Sequence, residues 1–224
     1  MASLAYRLIL GFAMVLLGNA AQAQSGVTPE VRAVAGNIAD SPGFVADATT
    51  CPADLMGTRF GQPLPEGYVS QKAHCTENPA LCLADCQAGD STMCFGLALV
   101  MSSLSDDLGI AETVKEMLYA RACALGNPLA CTNRAAGMRF YRALDPMSDV
   151  KSKGDVQICA HRSFRRTCEA DNGWGCAMHG QFLKDGIGTA VDVDAADRAF
   201  DKACKISPDE SSGPCKYARQ WQAD

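Results

Sequence analysis

The chain has no run of three basic residues, no Cys-x-x-Cys, only three histidines and, past its first two dozen residues, no long apolar stretch. Each absence excludes something. Without a basic run, and with a net charge of −5, nucleic acid and anionic membrane surfaces are poor partners. Without Cys-x-x-Cys, the motif that lowers a thiol pKa for disulfide exchange is missing. His74, His161 and His179 form no triad pattern with a nucleophile. Aromatic residues make up only 7 % of the chain, so any core is built of small side chains and needs extra support.

Cysteine supplies that support. There are 12, an even number, as expected where thiols oxidise and pair. The first 23 residues read as a secretory signal: Arg7, the apolar stretch Leu8 to Leu17, then Ala21-Gln22-Ala23 as a small-x-small cleavage site. The apolar stretch is shorter than the roughly 20 residues that cross a bilayer. The expectation is an exported protein, periplasmic or secreted, monomeric, with no stable membrane insertion. Residues 24–50, rich in Ala, Gly, Ser and Thr without strong periodicity, read as a loosely ordered lead-in, and 24–78 as an N-terminal lead-in that is partly irregular.

Three cysteine pairs are spaced by eight: Cys86/Cys94, Cys123/Cys131 and Cys168/Cys176; Cys204/Cys215 is a stretched fourth. Their first members recur every 37, 45 and 36 residues. Aligned on those first members, Tyr119, Phe164 and Phe200 each stand four positions earlier, at helical spacing; Cys82 takes that place in the first unit. Four positions after the second cysteine stands Ala98, Ala135 or Gly180, a small side chain that lets a neighbouring helix approach. Between the cysteines lie the turn formers Gly89-Asp90, Gly126-Asn127-Pro128 and Asp171-Asn172-Gly173. Each pair therefore staples a tight turn between two antiparallel helices. The fold class predicted is all-α: a right-handed solenoid of antiparallel helical hairpins over residues 79–224, each hairpin stacked on its neighbours. Asp194 is expected to cap the helix running to Cys204, and residues 144–155 to be an irregular insertion.

The run Gly175-Cys-Ala-Met-His-Gly180-Gln-Phe-Leu-Lys-Asp-Gly186-Ile-Gly188, followed by Asp194-Ala-Ala196 and Phe200-Asp-Lys-Ala-Cys204, resembles a Sel-one-like repeat, a relative of the tetratricopeptide repeat. With its eight-spaced cysteines the chain is similar, from Pro79 to Ala223, to the secreted cysteine-rich bacterial branch of that family. The resemblance implies a non-enzymatic adaptor that binds a protein or peptide partner in a concave groove and uses no cofactor and no metal. Groove residues expected on the first helix of each unit are Asn133, Arg139, Met178 and Gln181. Some cysteine-rich members are described as penicillin-binding or weak β-lactamase proteins, which makes β-lactam binding the alternative. Ser148-Asp-Val-Lys151 matches their Ser-x-x-Lys string, but no Lys-Thr-Gly follows, and Ser105-Asp106-Asp107 only approaches Ser-Asp-Asn.

Cys51, Cys75, Cys82 and Cys159 remain, with three possible pairings. Cys82 and Cys159 lie two units apart, and the reading leans to Cys51 with Cys75 or Cys82. His74, Cys75, Cys82 and Cys86 have the spacing of a zinc cluster, against which stands the oxidation of exported cysteines. His179 reads as a semi-buried core residue. His161, among Arg162, Arg165 and Arg166, belongs to a solvated basic face with room for an acidic partner.

Overall fold

The computed structural model describes residues 27–57, 60, 71–104, 109–139 and 142–223; residues 1–23, expected to be a secretory signal, and Ser105-Asp106-Asp107 lie outside them. Among these residues every regular element is a helix: α1 Pro29–Ala39, α2 Pro42–Thr49, α3 Pro52–Leu55, α4 Gln71–Glu77, α5 Pro79–Gln87, α6 Ser91–Ser102, α7 Ala111–Ala124, α8 Pro128–Met138, a 3-10 turn Pro146–Asp149, α9 Lys153–Glu169, α10 Gly173–Asp185, α11 Val193–Ile206 and α12 Gly213–Ala223. None is long and apolar enough to cross a membrane. From α5 to α12 each helix packs on the next, and α10 also meets α12.

Three helix junctions share one construction, which explains the eight-residue spacing. The third residue after the first cysteine adopts positive φ: Gly89 (107°), Gly126 (97°) and Asp171 (56°). Glycine takes this conformation without cost, and Asp tolerates it better than most residues. The N–H of that residue donates back to the cysteine carbonyl at 3.1, 2.9 and 3.0 Å respectively. Next comes a helix cap. Asp90, Asn127 and Asn172 each accept backbone N–H bonds from the first turn of the following helix. Four residues beyond the cap, one helical turn in, stands the second cysteine. The disulfides Cys86–Cys94, Cys123–Cys131 and Cys168–Cys176 close these junctions. Cys204–Cys215 closes a longer one, where α11 ends at an extended Ser207.

The aromatic-to-small rule operates between units. The Phe200 ring lies so close to Gly180 that a Cβ there would collide with it. Phe164 shares a buried cluster with Ala135, and Tyr119 shares one with Ala98. Thr132 Oγ1 donates to the Asn172 cap at 3.2 Å, tying one unit to the turn of the next.

Several expectations need correction. Cys51 bonds Cys159, 108 residues away, and Cys75 bonds Cys82, so Cys51 pairs with neither Cys75 nor Cys82. The reason is the path of the N-terminal segment, which returns α3 to α9. There the Ala53 N–H donates to Ser163 Oγ at 3.0 Å, Arg162 pairs with Asp54, and Arg166 donates to the Ala53 and Met56 carbonyls. With Cys75, Cys82 and Cys86 all in disulfides, the thiolates of the zinc reading do not exist. Residues 29–49 are not loosely ordered. Thr28 caps α1 through Val31 N–H, and Val31, Val34, Ile38 and Phe44 enter the main core. Asp192, not Asp194, caps α11, accepting Ala195 N–H at 2.8 Å. The insertion 144–155 contains the 3-10 turn, and α9 already begins at Lys153.

Candidate functional site: an apolar groove beside a buried ion network

The third unit carries its extra residues between α8 and α9, and they are folded onto α2 and α7. Between them lies a groove of about 410 Å³. Its walls are Val45 and Thr49 of α2, Thr113 and Met117 of α7, and Leu144 and Val150 of the insertion. Val45, Leu144 and Val150 keep 37 %, 56 % and 58 % of their surface exposed. The three exposed apolar side chains thus converge on one concavity.

Beneath the insertion, Arg134 of α8 is wholly buried. Its Nη1 donates to Asp145 at 2.6 Å and to Glu116 at 3.2 Å; its Nη2 donates to the other Asp145 oxygen at 2.7 Å and to the Ala48 carbonyl at 2.9 Å. One guanidinium thus joins α2, α7, α8 and the insertion. Asp145 also accepts Met147 N–H at 2.8 Å, capping the 3-10 turn, and Thr113 Oγ1 donates to the Leu144 carbonyl at 3.0 Å. These bonds fix the segment that supplies Leu144 to the groove. Glu116 has room only because position 137 is glycine: a Cβ there would overlap its carboxylate.

Burial pushes the Glu116 carboxyl up to about 7, against the opposing pull of Arg134 and Lys115. Arg134 stays cationic, since its hydrogen bonds to Asp145 and the charges of both carboxylates outweigh its burial. On the outer edge, Lys115 Nζ lies 2.7 Å from Glu112 and 3.5 Å from Glu116, and Arg142 reaches Glu112 at 3.1 Å. Arg121 pairs with Asp47 at 3.3 Å, holding α2 to α7, while burial raises the Asp47 carboxyl. The arrangement offers an apolar receptacle on a rigid base.

The residues expected to line a concave surface are placed differently. Arg139 Nη1 donates to Gln181 Oε1 at 3.0 Å and to Tyr217 OH at 3.4 Å, with Met178 Sδ at 3.8 Å; Tyr217 OH donates to Gln181 at 2.6 Å. Met178 and Gln181 are buried by these contacts, so they bind α8 and α12 to α10 and present no surface to a partner. Asn133 is half-buried on α8, apart from this cluster. Ser148 sits in the 3-10 turn and does not line the groove; Lys151 follows it and lines a separate hollow beside Asp54 and Arg162.

The groove residues were not singled out by sequence because α2 and the insertion come together only in the folded chain. Arg134 did carry a signal. It stands three residues after Cys131, on the same helical face, where a charge demands buried partners.

No protein-family model, characterised protein or solved structure matches this chain.

Proposed function

We propose that this chain is an exported scaffold of the Sel-one-like type, a solenoid of disulfide-stapled helical hairpins that binds a protein or peptide partner without catalysis. The observation that carries the reading is the groove between α2, α7 and the insertion. It is apolar and walled by three exposed aliphatic side chains, and a buried ion network and flanking disulfides hold its parts in place. A receptacle already in its final shape binds without an ordering cost, which suits recognition of an apolar anchor on a peptide. Six disulfides in the described residues fit an oxidising compartment.

The test is selection from a displayed random-peptide library on the oxidised protein, with a Leu144→Asp/Val150→Asp double variant as the comparison. Both positions are exposed, so the variant should melt as the parent does. The expected result is enrichment of peptides sharing an apolar anchor that the variant no longer binds. Peptides that bind parent and variant alike would place recognition elsewhere.

A further inference from the structure

The basic residues of α9 divide into two sets. Arg162 and Arg166 face α3 and are engaged by it. Arg165 instead borders a shallow trough of about 340 Å³ shared by α9, α10 and α11. Arg198 and Lys202 of α11 line the same trough, so three cations from two helices converge on it. Glu169 is the one carboxylate in the lining, so the trough keeps a local excess of positive charge on a chain whose net charge is −5.

The cations are unequally committed. Lys202 Nζ donates to the Cys168 carbonyl at 2.7 Å and pairs with Asp171 at 2.9 Å. Arg165 has Glu169 at 3.6 Å, with both side chains more than half exposed, a pairing of little worth in water. Arg198 has no ion-pair partner among the described residues. The trough wall includes His179, whose ring stacks on His161 with centroids 5.1 Å apart. Burial first, then His161 and Arg165, hold His179 down to about 4, which keeps it neutral at physiological pH.

We propose that this trough binds an acidic peptide segment. Two guanidinium groups, one on α9 and one on α11, present forks that match carboxylates bidentately. Leu183, Ala195 and Ala199 between them give an apolar bed for the methylene stems of glutamate side chains. The trough is open to solvent, which suits a peptide segment better than an enclosed small molecule. The trough shares no residue with the groove beside α2, so either site can fail its test alone.

The experiment is a titration of the isotope-labelled, oxidised protein, followed by amide NMR. The probes are a blocked hexaglutamate peptide, a blocked hexaglutamine peptide and potassium phosphate. Saturable shifts on α9, α10 and α11 with hexaglutamate alone are expected. Arg165→Gln/Arg198→Gln should weaken that binding by at least about tenfold, the size of one lost charge-assisted bond, with an unchanged melting temperature. Three results would each overturn the proposal: equal shifts with hexaglutamine, equal shifts with phosphate, or binding that survives the double substitution. So would the absence of saturable shifts in the trough.

Discussion

Between Pro79 and Ala223 the chain is held by links that span few residues: an eight-residue staple, a cap inside it, and an aromatic side chain meeting a small one in the preceding unit. Residues 29–55 are held in the opposite way. Their helices pack on α5, α7, α8 and α9, and their fixed points are the Cys51–Cys159 disulfide and the Ala48 carbonyl that receives Arg134. The first region can be assembled unit by unit. The second requires α7 to α9 to be in place before it has anything to bind. The groove lies where the two meet, with α2 as one wall and the insertion as the other. The groove exists because the N-terminal arm is clamped across α7, α8 and α9.

The Cys51–Cys159 clamp separates the two regions most strongly. Cys51→Ser/Cys159→Ser opens a loop of 108 residues, and chain entropy assigns that closure about 5 kcal/mol, against about 2.5 kcal/mol for Cys123→Ser/Cys131→Ser. Urea unfolding of the two variants should preserve that order, with the first losing amide protection in α1 to α3 and the second only near its own turn. Equal losses would mean that the arm is held by packing alone. Arg134→Ala comes next. It leaves Asp145 and Glu116 buried without their counter-charge, a change costing about 3 to 5 kcal/mol, measured by the same unfolding curves.

The buried ion network also carries a smaller, pH-dependent effect. Glu116 has a folded-state pKa of about 7 against an ordinary 4.5, so the folded protein holds this proton more tightly than the unfolded chain does. Between those values stability must fall as pH rises, and this contribution is fully present only below the unfolded pKa. In Glu116→Gln the group cannot titrate. The difference between parent and variant stability should therefore change steadily from about pH 4.5 to pH 7, with the parent losing ground. A flat difference would show Glu116 to be ionised throughout, as a fully compensated partner of Arg134.

The legibility of the fold follows the same division. The staples at Cys86, Cys123 and Cys168 could be read because cysteine, positive-φ residue and cap occupy fixed positions in a short window. Tyr119, Phe164 and Phe200 could be read because a helix repeats its face every three to four residues. The arm could not. Pro29, Pro42 and Pro52 each stand at the first turn of a helix, a favourable place for proline, yet the segment's small residues give little periodicity to recognise. The pairing of Cys51 is a property of tertiary geometry, and nearness in sequence pointed to the wrong partners. Two of the expected groove positions, Met178 and Gln181, are covered for a related reason. Met178 and Gln181 lie on the face of α10 that meets α8 and α12, and only the packing of α12 shows that this face is closed.

Disulfide mapping of the oxidised protein, by proteolysis without reduction and mass spectrometry, tests the clamp most directly. A peptide pair joining Cys51 to Cys159, together with one joining Cys75 to Cys82, is the predicted result. Cys51 joined to Cys75 or Cys82 would detach the arm from α9 and remove the basis for the groove.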